Sequence, residues 1–286
     1  MVFLRENAAD KIEKLVALDA VAEPLRAAVE AAIPAGSHAK DALSGTWLGH
    51  PLHPPLTDIV VGSWTSALAL DLLGGQSAED AADKLVGIGI LAAIPTALSG
   101  LSDWADVRGG SQRVGTVHAI GNTTALLLHV LSWFARRGGQ RVEGLLLSGL
   151  GVATASFSAW LGGHLSFAKG IGVNETAFDD APADWTPVVE EAALEEGALV
   201  GAYVESTPVL LVRRGEQLHA IDDRCSHRGC SLHEGTLKDG LIVCPCHGST
   251  FRLDGSIVRG PATAPQPRFD VRAHAGKVEI RAAVRA

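Results

Sequence analysis

The sequence predicts an α+β multidomain chain, an N-terminal α-helical transmembrane four-helix bundle followed by an all-β domain. Three observations carry this. Apolar residues make up 47% of the 286 positions against 20% charged, and the surplus falls before residue 170. Three stretches, 85–102, 114–135 and 144–168, contain no Asp, Glu, Lys or Arg, and each is close to the ~20 residues a helix needs to cross the hydrocarbon core. After residue 186 the pattern shortens to brief apolar or alternating runs between Gly, Asp and Pro, the punctuation of strands and turns.

Residues 1–44 mix acids and bases with Ile12, Leu15, Val16, Leu25, Val29 and Ile33 near helical spacing. That predicts amphipathic helices lying on the membrane surface or on the bundle, not a signal peptide or a span. The membrane domain is placed at 45–173. Its first helix, Pro55 to Gly74, is bracketed by Asp58 and Asp71 and spans if those acids sit near its ends. Gly87, Gly89, Gly149, Gly151, Gly162 and Gly163 recur through the helices, and small residues let membrane helices approach closely. Lys40, Arg108, Arg113 and Lys169 flank one side, and Lys84, Arg136, Arg137 and Arg141 the other, so the balance of positive charge leaves the orientation open. Arg136-Arg137 resembles a twin-arginine export pair, but the apolar residues expected just after it are absent.

An acidic linker is placed at 174–185, within a stretch from Glu175 to Glu196 that carries eight acids and no base. It predicts a solvated tether, or a hinge for the β domain. That last domain, 186–286, holds short strand-like runs at Val209–Arg213, Leu218–Ile221, Leu241–Val243, Phe269–Arg272 and Val278–Arg281.

All four cysteines fall between Cys225 and Cys246. Cys225 and His227, then Cys244 and His247, form the pattern C-x-H-x16-C-x-x-H, with each loop supplying one thiolate and one imidazole. A [2Fe–2S] centre with two Cys on one iron and two His on the other needs that donor set. Cys230 and Cys246 remain, and a disulfide between them would clamp the loops. A zinc knuckle built on Cys225, Cys230, Cys244 and either Cys246 or a histidine is the alternative use of such residues.

Cys225-Ser-His-Arg-Gly-Cys230, Cys244-Pro-Cys-His-Gly-Ser249 and the later Gly260-Pro261-Ala262 closely resemble the Rieske iron–sulfur family, in its disulfide-containing cytochrome bc-type branch. The resemblance covers about residues 186–283. It implies an all-β Rieske domain, a proline loop covering the cluster from a third side, and a Ser249 hydroxyl donated to a bridging sulfide. The tyrosine of the bc-type pattern is replaced by Phe251, so a midpoint inside the roughly −150 to +300 mV Rieske range but below its top is expected. Residues 45–173 resemble a family of four-helix bacterial membrane proteins without an assigned activity. The resemblance is carried by Gly49-His50-Pro-Leu-His53-Pro-Pro and Trp160-Leu-Gly-Gly-His164.

Ionisable groups inside a membrane are costly and call for a reason. Counting helices puts His53, His118 and His164 at similar depth on one side, which suits a haem b held by two of them, or a quinone pocket. Structural hydrogen bonding between helices is the plainer use. Taken together, these features predict a multi-pass protein of the bacterial cell membrane that passes single electrons between a quinol or cytochrome donor and a redox partner, entering and leaving at exposed His227 and His247 edges. A redox or nitric-oxide sensor, or a ferredoxin-like component of an oxygenase system, are the alternatives. A self-contained oxygenase would need a mononuclear iron site, for which no room is expected downstream of the second loop. The net charge of −8 argues against a nucleic-acid partner.

Overall fold

The computed structural model describes residues 7–283. In chain order its α-helices are α1 (Ala8–Glu13), α2 (Asp19–Ala32), α3 (His38–Ser44), α4 (His53–Leu73), α5 (Glu79–Ala105), α6 (Gly109–Arg137) and α7 (Arg141–Gly163). The chain forms two compact units. One takes the residues up to Ala32 together with Leu52–Ile171, and the other takes Ile33–Pro51 together with the residues from Gly172 on. The sequence pattern assigns 33–44 to the N-terminal helices and 45–51 to the membrane domain. The fold instead groups 33–51 with the β-strands.

In the first unit, α4 to α7 are long and apolar enough to cross a membrane. Pro54 and Pro55 open α4, where no intrahelical N–H partner is required. Asn7 and Asp10 cap α1 reciprocally, each side chain accepting from the other's backbone N–H at 2.9–3.0 Å. Ala9 of α1 packs against Val114 and Leu161, and Arg113 holds Asp19 at 2.7 Å. The amphipathic helices thus lie on the bundle.

The bundle is an internal repeat of two hairpins, α4–α5 and α6–α7. His53 and Trp64 on α4 correspond to His118 and His129 on α6, and Gly89 and Gly100 on α5 to Gly151 and Gly162 on α7. Each ring packs on the matching glycine. A β-carbon at Gly100 would lie 2.7 Å from the His53 ring, one at Gly162 2.9 Å from His118, one at Gly89 2.3 Å from Trp64, and one at Gly151 2.5 Å from His129. Glycine is required at these crossings because the rings fill the space a methyl would take.

Asp71, which made the first span look doubtful, is buried with an arginine. Arg136 donates to Asp71 and, at 2.9 Å, to Asp83, while Arg141 reaches the same two acids. Gly144 makes room for Arg136, and the Ser132 and Ser148 hydroxyls accept from its Nε and Nη2. Arg137 instead lies over the Trp133 ring at 4.0 Å. The paired arginines are therefore structural on different faces of α6.

The second unit contains β1 (Thr186–Glu190), β2 (Val200–Val204), β3 (Thr207–Arg214), β4 (Gln217–Asp222), β5 (Thr236–Lys238), β6 (Leu241–Val243), β7 (Thr250–Arg252), β8 (Ile257–Arg259), β9 (Phe269–His274) and β10 (Lys277–Ala282). They form three antiparallel sheets, ordered β1-β10-β9, β2-β3-β4 and β5-β6-β7-β8. The alternation of β3 divides its buried residues between two cores. Leu210 and Val212 join Ile221, Ile242 and Phe251 beneath Cys225 and Cys244, whereas Val209 and Leu211 join Phe269, Val278 and Ile280. All five strand-like runs read from the sequence are strands.

The acidic linker differs from the expected solvated tether. Asp179 accepts from Arg224 at 2.9 Å, Ala282 N–H donates to the Pro182 carbonyl at 2.7 Å, and Trp185 lies between Arg272 and Arg281 at 4.2 and 4.6 Å. Asp179 and Trp185 find basic partners on the β domain, which fastens the segment along it.

Candidate metal centre

Two loops rise from the sheets, 223–231 after β4 and 244–249 between β6 and β7. Each closes on itself in the same way. In the first, Cys225 N–H donates to the Cys230 carbonyl and Gly229 N–H to the Cys225 carbonyl, both at 2.8 Å. In the second, Cys244 N–H donates to the Ser249 carbonyl at 2.9 Å and Gly248 N–H to that of Cys244 at 3.2 Å. Gly229 and Gly248 have φ of 70° and 76°, a left-handed turn that glycine adopts without strain. By this pairing Cys225 matches Cys244, whereas Cys230 matches Ser249 and Cys246 matches His227. Equal spacing is thus not what brings the last two cysteines together.

Cys230 and Cys246 are bonded, S–S 2.02 Å with α-carbons 6.5 Å apart. Cys225 and Cys244 stay unlinked, only 1% and 3% exposed. Their thiols share a hydrogen bond, which pushes Cys225 up and, with backbone N–H groups adding to it, pulls Cys244 down to about 7. The His227 and His247 rings stand 5.1 Å apart at 86°. Burial, then the charge of Arg228, holds His227 well below the usual imidazole range, so it is neutral. Two buried, unlinked cysteines beside two imidazoles fit a [2Fe–2S] cluster, with Cys225 and Cys244 on one iron and His227 and His247 on the other. The disulfide removes two of the thiolates a zinc knuckle would use, so that alternative falls.

The third loop is fastened to both others. Ser249 is buried, and its Oγ accepts from Ala262 N–H at 3.0 Å. Ser226 Oγ donates to the Ala264 carbonyl at 2.6 Å, and Gln266 accepts from Ser226 N–H while donating to the Arg224 carbonyl. Gly260-Pro261 is a cis peptide bond. Ser226 and Gln266 are functional neighbours that sequence reasoning misses. A serine between Cys and His carries a signal, but a glutamine forty positions away carries none. At the base of the first loop, Asp223 accepts from both His233 N–H and Nδ1 at 2.7 Å.

The histidine edge is not open. His227 and His247 are half-buried, which corrects the expectation of exposed edges. Gly248, beside His247, stands against Ala35 and Gly36, a stretch of chain that no local pattern would bring here.

Of the bundle histidines, His53 and His118 meet, with ring centroids 6.3 Å apart. The Nδ1 of His53 bonds the Thr96 carbonyl at 2.9 Å, and that of His118 the Ser158 carbonyl at 2.7 Å. Asn122 Nδ2 lies 3.0 Å from His118 Nε2. His164 is engaged elsewhere, 3.4 Å from Glu13, which also holds Lys169. The three histidines therefore do not assemble into one site. Asp10, Glu13 and His164 converge closely enough for a metal ion, but the Lys169 ammonium at 2.7 Å from Glu13 already balances that carboxylate.

Three small antiparallel sheets bearing two disulfide-clamped Cys/His loops define an iron–sulfur domain of the electron-transfer type. Residues 184–271 match the family model described as Rieske [2Fe-2S] domain, and residues 49–175 the one described as predicted membrane protein (DUF2231). The chain belongs to the Rieske family and carries a DUF2231 domain ahead of its Rieske domain. A ferredoxin, CarAc, of Metapseudomonas resinovorans is 33% identical over 98 residues, 34% of this chain and 92% of that protein. The cytochrome b6-f complex iron-sulfur subunit of Chlorobaculum tepidum is 36% identical over 72 residues, 25% of this chain and 39% of the subunit. The carotenoid phi-ring synthase of the same organism is 46% identical over 65 residues, 23% of this chain and 10% of the enzyme. The chain thus spans less than half the length of these last two relatives.

Proposed function

We propose that the protein is a membrane-anchored carrier of single electrons between a membrane donor, quinol or cytochrome, and a redox partner. The observation that supports this is the presence, in one chain, of the disulfide-clamped Cys/His site and four helices of membrane-crossing length and apolarity. When bound, a cluster of this kind takes up and gives back one electron. Cys225 and Cys244 hold its buried side, His227 and His247 its outer side, and Ser249 fixes the second loop to the third.

In the bundle, the same reading assigns the donor side to His53 and His118. With each Nδ1 tied to a carbonyl, His53 Nε2 is the nitrogen left for a haem iron or a quinone oxygen, while His118 Nε2, 3.0 Å from Asn122 Nδ2, must give up that partner to join it. Reduced-minus-oxidised spectra of the detergent-purified chain decide between them, since only haem gives an α-band.

The test of the whole is an EPR titration of the purified chain followed by reconstitution with quinol and cytochrome. His247→Ala should abolish the Rieske EPR signal while the bundle still inserts. A retained signal overturns the ligand assignment. An intact signal without electron exchange with either partner overturns the carrier reading and favours a sensor.

A further inference from the structure

The segment 33–51 lies far from the cluster loops in sequence and packs with them in the fold. It is organised locally: Ser37 Oγ accepts from Lys40 N–H at 3.1 Å to open α3, and Gly45 closes it with φ of 84°. It is then fixed to the third loop at three points. Arg259 donates to the Gly36 carbonyl, Asp41 Oδ1 accepts from Gly260 N–H at 2.8 Å, and Thr46 Oγ1 donates to the Ala262 carbonyl at 3.2 Å.

The contact is close. A β-carbon on Gly260 would lie 2.1 Å from Thr46 Oγ1 and 3.2 Å from Asp41 Oδ1. A fourth point falls on the second loop, where Ala35 and Gly36 stand 3.7 Å from the β-carbon position of Gly248, the residue after His247. Lys40 is only 3% exposed, although lysine is rarely buried. The Asp41 bond supplies a buried N–H with a charged acceptor, the stronger kind of hydrogen bond.

We propose that residues 33–51 form a fourth wall of the metal centre, an intramolecular cover over its histidine edge. The proposal rests on the Rieske reading of the site. A partner reaching His227 or His247 must work through or displace this cover. The cover leads directly in sequence to His53 at the head of α4.

Asp41→Ala combined with Thr46→Ala removes two anchors and leaves every ligand in place. In the full-length purified protein, stopped-flow oxidation of the reduced centre by ferricyanide and by a cationic cobalt complex should both become several-fold faster. Unchanged rates in the double variant with a normal EPR signal overturn the cover while leaving the carrier reading intact. Absence of the EPR signal from the unmodified protein instead overturns the Rieske reading. If the double variant fails to fold, hydrogen exchange on the unmodified protein decides. Protection of the Gly260 and α3 amides supports the cover, and rapid exchange at both overturns it.

Discussion

Ser249→Ala should separate two roles of one buried hydroxyl. Its oxygen accepts from Ala262 N–H at 3.0 Å, so its own proton remains free to be donated to a sulfide of the bound cluster. Deletion strands the Ala262 N–H in a buried place, which costs about 1–3 kcal/mol of stability. It also removes a hydrogen bond that strengthens as negative charge builds on the sulfur. A bond to a charged acceptor is worth roughly 1.5–3 kcal/mol, and about 59 mV corresponds to a tenfold change for one electron, so the midpoint should fall by about 60–130 mV. An EPR-monitored potentiometric titration reads the potential, and thermal unfolding reads the stability. An unchanged or raised midpoint would refute the donor role. If only stability falls, Ser249 merely joins the second and third loops.

Three other outcomes are expected. Replacing Cys230 and Cys246 together by Ser opens a cross-link between residues 16 apart and should cost about 3 kcal/mol by loop entropy, read as a lower unfolding midpoint of the full chain; no change would place the bridge's value elsewhere. Asp222 is pushed up from 3.8 to about 7, by burial first and then by Asp179; a raised carboxyl contributes stability that is present below pH ~4 and lost as pH rises through ~7, by up to about 4 kcal/mol. Asp222→Asn, which keeps an acceptor for Arg224 N–H, should therefore gain on the parent protein between pH 4 and 7, and a pH-independent difference in denaturation would sink that account. Asp71→Asn leaves the fully buried Arg136 with only Asp83 as a charged partner and should cost about 3–5 kcal/mol, measured as the helical melting of the detergent-solubilised protein.

Much of the chain is legible because its signals are local. The charge-free runs mark three helices outright, and the Cys–His spacing marks the candidate ligands, since a loop that chelates must place its donors within a few residues. Asp71 and Arg136 cannot be read this way, because their meaning lies in a pairing across 65 positions. The hairpin repeat is visible in principle. His53 and Trp64, His118 and His129, Gly89 and Gly100, and Gly151 and Gly162 are all eleven apart, a shared spacing of about three helical turns. The acidic stretch misleads because composition reports charge, not the Arg224 and Arg213 that pair with its Asp179 and Glu191 or the Arg272 and Arg281 that hold its Trp185.

By itself the sequence determined the two-part architecture, the candidate [2Fe–2S] donor set, the Cys230–Cys246 pair and the four apolar helices, which come from period, spacing, residue chemistry and the resemblance those motifs carry. Only the tertiary structure decided which histidines meet in the bundle and that residues 33–51 pack with the cluster loops near His227 and His247, which were expected to be exposed. Those are contacts between residues distant in the chain, and a linear pattern carries no term for the hydrogen bonds that a distant segment makes once folding brings it near.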